Sequence, residues 1–245
     1  MWDSNSCHNL RVEQHIGKGW LCWKSARMEP KRLGKLILII FNCCRWSYLL
    51  WQTLVHFLNR GTLDTFWNEI KWTVIIFQNA AVLEIFNAAI GLVPSGILVV
   101  IMQVFSRVFL VCCSLLVTHS ATVSPGLPLC ILAWSITEIV RYSYYGLNIM
   151  KAVPQPLMFL RYSTFLVLYP IGITGELLCM YYSLNEIVDK QLFTVSMPNA
   201  WNFIFNYYYF LIFYMLLYIP LFPVLFGHML KQRRKMLGME AKKIY

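Results

Sequence analysis

The sequence predicts an all-α membrane protein, a bundle of six transmembrane helices with both termini in the cytosol. Three observations predict it. Of the 245 residues, 58% are hydrophobic and only 13% are charged, whereas a soluble domain is about half apolar and about a quarter charged. Six stretches are mostly apolar over about 20 residues, the length a helix needs to cross hydrocarbon. Thirteen of the 21 Lys and Arg residues lie before the first stretch or after the last, and only Arg60, Lys71 and Lys190 fall in the far-side loops. The positive-inside rule then puts both ends in the cytosol, as an even number of spans requires.

The spans fall at 36–58, 72–93, 97–118, 128–149, 157–182 and 205–229. None shows the alternation of an outer-membrane barrel. Residues 1–34 form a polar cytosolic tail without the apolar core of a signal peptide. "GLVPSG" (91–96) makes spans two and three a tight hairpin, and "SATVSPGLP" (120–128) is a turn-rich link. "KAVPQP" (151–156) joins spans four and five on the cytosolic side, and the longest loop, 183–204, lies opposite. The six-span domain occupies 35–230, and 231–245 is a basic cytosolic tail. The net charge of +10 is therefore mostly topological. The basic residues flank spans and form no aromatic-studded patch, which argues against nucleic-acid binding. The eight cysteines lie mainly in spans with no metal-ligand spacing, and read as small apolar fillers.

Ionisable residues inside spans are costly unless paired, so each asks for a function. The chain has Arg45, Glu84, Gln103 with Arg107, Glu138 with Arg141, Arg161 and Glu176 in such places. Gln103 and Arg107 are four apart, Glu138 and Arg141 three apart, so each pair meets on one helix face. Glu84 reaches Arg107 if spans two and three are neighbours. For Glu84, Gln103, Arg107 and Glu138 the expectation is structural, with interhelical bonds holding the bundle. Arg141, Lys151 and Arg161 gather at the cytosolic mouth near His228, Lys231, Arg233 and Arg234. They suit a ligand with an anionic head and a greasy tail, and equally suit ordinary flanking of spans.

"LYPIGITGELLCMYY" (168–182) is the stretch that carries chemistry. Glu176 has no polar partner on its own helix, and a desolvated carboxyl suits proton transfer near neutral pH. Tyr169 lies two turns earlier on the same face, about 10 Å away on an ideal helix. Pro170, Gly172 and Gly175 loosen the segment. A broken turn there brings the two side chains together and leaves backbone N–H groups free for a carbonyl oxygen. An interfacial tyrosine, a kinked helix and a structural glutamate account for the same residues.

"RYSTFLVLYPIGITGELLCMYYSL" (161–184) strongly resembles the signature of the very-long-chain 3-hydroxyacyl-CoA dehydratases of the endoplasmic reticulum, once called protein-tyrosine-phosphatase-like. Matching blocks follow in order: "FQNAAVLEIFNAAIGLVPS" (77–95), "QVFSRVFLV" (103–111), "AWSITEIVRYSYY" (133–145), "SMPNAWNFIFNYYYFLI" (196–212) and "YIPLFPVLFGHMLKQRRKML" (218–237). The resemblance implies elimination of water from a (3R)-3-hydroxyacyl-CoA to give the trans-2-enoyl-CoA, the third step of fatty-acid elongation, with no cofactor. It implies Tyr169 and Glu176 as the catalytic pair. Within that pair we assign Glu176 to take the α proton and Tyr169 to protonate the departing hydroxyl, with the N–H groups around Gly172 and Gly175 as candidates for polarising the thioester. The reversed roles stay open and need a cation such as Arg161 to lower the phenol's pKa. The resemblance also implies the bilayer and other elongation enzymes as partners. The end "KKIY" (242–245) is similar to a dilysine retrieval signal for the endoplasmic reticulum.

Two rivals follow from the same resemblance. A Cys-x5-Arg phosphatase loop needs a thiolate and a phosphate-holding Arg. Ala88 and Pro94 stand at those places, so phosphatase chemistry is excluded. A catalytically silent scaffold of the elongation machinery is the alternative, favoured only if Tyr169 or Glu176 were missing. A transporter is a weaker reading, since no half-repeat is evident.

Overall fold

The computed structural model describes residues 30–89, 97–197, 200 and 203–241, with side chains for 32–78, 101–197, 200 and 203–238. It is helical nearly throughout: α1 (Pro30–Leu58), α2 (Leu63–Ala89), α3 (Ile97–Phe109), α4 (His119–Thr122), α5 (Gly126–Ile149), α6 (Gln155–Ser163), α7 (Phe165–Asp189) and α8 (Tyr207–Ala241). Among the described residues the only β pairing is an antiparallel bridge between Val195 and Phe205 in the loop before α8. By length and composition, three segments are able to cross a membrane: Arg32–Leu58, Gln155–Asp189 and Tyr207–Gly238. Ile101–Leu115 is a shorter apolar helix. The "GLVPSG" turn and the dilysine-like end lie outside the described residues.

Local chemistry sets the boundaries. Pro30 opens α1, where its fixed φ suits a first helical position and its missing N–H costs nothing. α3 passes into a π-helical turn, Leu110–Leu115, in which the Leu116 N–H reaches back to the Val111 carbonyl. Three helices end alike. At the end of α1, Gly61 N–H bonds the His56 carbonyl and Arg60 N–H bonds that of Phe57, with Arg60 at φ 58°. α5 closes the same way around Lys151 (φ 56°), and α7 around Gln191 (φ 48°). This is the Schellman arrangement, here with L-residues in the left-handed position that glycine usually takes. Beneath the first cap, His56 contacts the Thr62 carbonyl through Nε2 (2.9 Å) and Glu69 through Nδ1 (2.9 Å), closing the α1–α2 hairpin.

α5 is the central post, packed between α1 and α7. Its approach to α7 is closest at Gly175, where an added Cβ would lie 2.7 Å from both the Cys130 nitrogen and the Gly126 oxygen. Small residues permit such backbone contact between apolar helices. Gly172 is less constrained, since a Cβ there would meet Ala133 at an ordinary 3.5 Å. Trp46, Phe66, Ile70, Leu110, Ile131 and Met180 are buried in the core. Outside, α1 exposes Ile40, Phe41 and Trp51, and α8 exposes Tyr209, Phe213, Leu216, Ile219 and Val224. Apolar outer faces of this extent fit hydrocarbon and would be a liability in water.

One expectation is corrected. α7 runs unbroken from Phe165 to Asp189 with Pro170 inside it. Proline removes one N–H, and its φ near −65° is compatible with a helix. The amides of Gly172 and Gly175 therefore belong to the helical ladder and are not free to polarise a thioester. No broken turn draws Tyr169 toward Glu176: the two stay two turns apart on one face of the helix.

Candidate active site

α3, α5, α6, α7 and α8 enclose a cavity of about 280 Å³. α8 contributes one inward face: Tyr214, Tyr218, Leu221, Phe222 and Leu225 all line the cavity, at the three- and four-residue spacing of a single helical face. Tyr169 and Glu176 on α7 both line it, with Gly172 between them. Gly175 turns instead toward α5.

Glu176 is only 5% exposed. One carboxylate oxygen accepts a hydrogen bond from Trp134 Nε1 at 3.0 Å, the other from the Tyr218 hydroxyl at 2.8 Å. Among the described residues no cation pairs with it. The Tyr169 ring stacks on Phe222 (centroids 5.4 Å apart, 9° between planes) and lies nearly parallel to Phe226. This fixes the ring while its hydroxyl has no protein partner among the described residues.

A second carboxylate lines the same cavity. Glu138, 1% exposed, is clamped between Arg107 and Arg141, each at 2.6 Å. The Glu138–Arg141 pair is the one expected three residues apart. Arg107, expected to pair within α3 or with Glu84, crosses to α5 instead. Gln103 lines the cavity beside it, and the Glu84 side chain lies outside the described ones. Arg45 packs over the Phe77 ring at 4.9 Å.

Toward the other end stand Arg141, Arg161, His228 and Gln232. Arg161 lies over the rings of Tyr145 (5.7 Å) and Tyr162 (5.8 Å) and has no carboxylate partner among the described residues. Arg233 Nε donates to Ser163 Oγ at 3.3 Å, tying α8 to α6 nearby. Lys151 is not among the lining residues. It is exposed and occupies the left-handed position of the α5 cap.

Trp134 and Tyr218, the residues that hold Glu176, were not singled out from sequence. Trp134 lies one turn before Glu138, so helical spacing from a residue already of interest was the available signal there; Tyr218 had only its place at the head of the block 218–237.

The family described as "Protein tyrosine phosphatase-like protein, PTPLA" matches residues 78–239. The chain is 43% identical over 199 residues to the very-long-chain (3R)-3-hydroxyacyl-CoA dehydratase hpo-8 of Caenorhabditis elegans, covering 81% of this chain and 91% of that protein. It is 39% identical to the very-long-chain (3R)-3-hydroxyacyl-CoA dehydratase 2 of Mus musculus, covering 85% and 84%. It is 35% identical to the very-long-chain (3R)-3-hydroxyacyl-CoA dehydratase PASTICCINO 2A of Oryza sativa subsp. japonica, covering 83% and 94%. No solved structure matches.

Proposed function

The chain belongs to the protein tyrosine phosphatase-like (PTPLA) family, and from that membership we infer that it is a very-long-chain (3R)-3-hydroxyacyl-CoA dehydratase, a hydro-lyase. The observation that carries the site assignment is one cavity lined by Tyr169 and Glu176 and, further along, by Arg141, Arg161 and His228. Elimination needs a base for the C2 proton and an acid for the C3 hydroxyl. Glu176 takes the proton, the C2–H electron pair becomes the C2=C3 double bond, and the C3–O bond breaks as Tyr169 delivers its proton to the leaving hydroxyl. Water departs; Glu176 gives up its proton to solvent and Tyr169 regains one from it, which resets the pair. The cations stand where the CoA phosphates would lie, and the apolar walls suit the acyl chain.

The six-span arrangement, cytosolic termini and residence in the endoplasmic reticulum membrane belong to the same proposal, as does work alongside other elongation enzymes. The distribution of basic residues and the exposed apolar faces of α1 and α8 support the spans and termini, and the dilysine-like end supports the compartment. Protease added to sealed microsomes is expected to remove tags from both ends, and protection of either tag would refute the topology. Purified protein is expected to convert a long-chain (3R)-3-hydroxyacyl-CoA to its trans-2-enoyl-CoA without added metal or redox cofactor. Failure of folded, monodisperse protein to do so would favour the scaffold alternative.

A further inference from the structure

Glu176 is held from outside its own helix. Trp134 reaches it from α5 and Tyr218 from α8, one donor to each oxygen, at 3.0 and 2.8 Å. A carboxylate offers about four lone-pair sites, so two donors fix its plane and still leave each oxygen a site for a proton. Both donors are neutral and therefore restrain the group without neutralising it; from α3 the Ser106 hydroxyl and the Arg107 guanidinium also face it.

The donors are themselves restrained. Trp134 is 3% exposed, with the Arg107 guanidinium 5.5 Å above its ring, and Arg107 is anchored on Glu138. Tyr218 meets Tyr214 edge to face (5.8 Å, 76°), and Tyr214 stacks on Phe109 at 3.9 Å. The carboxylate is thus suspended between donors on two packed helices, and Arg107 and Phe109 of α3 brace the two sides.

Resting on the dehydratase reading, we infer that Trp134 and Tyr218 are positioning residues that aim the Glu176 carboxylate at the C2 proton. A glutamate has three side-chain torsions, and a base displaced by about 1 Å loses on the order of a hundredfold in rate. Loss of one of two donors releases the group only partly. Neither residue exchanges a proton with substrate in this role.

The test uses the full chain, purified in detergent, with Trp134→Phe and Tyr218→Phe made separately; both retain an aromatic ring. Each is expected to lower kcat about tenfold, the scale of a lost hydrogen bond to a charged group, with KM for the CoA ester within about twofold. Exchange of the C2 proton with solvent deuterium is expected to fall in parallel. The same changes are then made in Glu176→Asp, whose shorter side chain gives up both donors. There each is expected to add less than about twofold, because its effect runs through the carboxylate. A mere packing defect would lower both backgrounds equally. Single variants with kcat within twofold of the parent, or an undiminished loss in the Asp background, would overturn the inference while the dehydratase reading stood. Full activity in both Glu176→Gln and Tyr169→Phe would overturn the site assignment, and the inference with it.

Discussion

Two buried carboxylates line one cavity and are treated in opposite ways. Glu138 sits between two guanidiniums at 2.6 Å, while Glu176 accepts from an indole and a phenol and forms no ion pair among the described residues. The first arrangement is an ion cluster joining α3 to α5, and a group in such a cluster is committed to its partners. The second leaves a carboxylate oriented by neutral donors and not ion-paired, the nearby Arg107 being already engaged with Glu138, so that it can exchange a proton with a guest. The same residue type serves as a fastener in one place and as a reagent in the other, and the difference lies in what surrounds it.

The comparison breaks most visibly at Glu138. Glu138→Gln leaves two largely buried guanidiniums without their carboxylate, and removing one partner of a buried pair costs about 3–5 kcal/mol. The expected outcome is a large drop in thermal midpoint, with activity lost in step with folded protein. Normal thermal stability together with lost catalysis would move Glu138 into the chemistry. Next come Glu176→Gln and Tyr169→Phe, each expected to lower kcat by about a hundredfold, the scale of a lost acid or base, while thermal midpoint and membrane insertion stay close to the parent. If deuterium exchange at C2 survives in Tyr169→Phe and vanishes in Glu176→Gln, the roles are as assigned; the reverse pattern exchanges them. The smallest effect is at the mouth. Arg161→Gln is expected to raise KM several-fold with little change in kcat, since a contact to a remote phosphate is made equally in ground and transition states. Lys151→Gln, at an exposed cap outside the cavity, is expected to leave both constants unchanged, and a KM rise there would redraw the binding surface.

The helices were largely legible because hydropathy acts over long windows. The six apolar segments fall on α1, α2, α3 with its π-helical turn, α5, α6 with α7, and α8. The site was legible where a motif lies on one helix, as with Tyr169 and Glu176. It was not legible where partners come from different helices. Nothing local to Arg107 says that it will choose Glu138, and Trp134 and Tyr218 are 42 residues from Glu176 on either side. Lys151 was read by its charge alone, and nothing local announced that its backbone would form a helix cap, exposed and outside the cavity lining. The loosened turn at Pro170 failed because local propensity yields to packing, here by α5 along the adjoining face.

The contact at Gly175 sets a mechanical tolerance for the whole site. The base is the next residue along the chain, and the helix it must be measured against is the one carrying Trp134. With a Cβ at 175 only 2.7 Å from backbone atoms of that helix, a single methyl would act as a shim, lifting the base away from one of its two supports. At this point in the molecule the harmful change is in thickness and not in polarity. Alanine at 175, which adds no polar atom, is therefore a more damaging substitution than many charge changes on the surface, whereas alanine at 172 meets only ordinary contact and occupies a little of the guest's space.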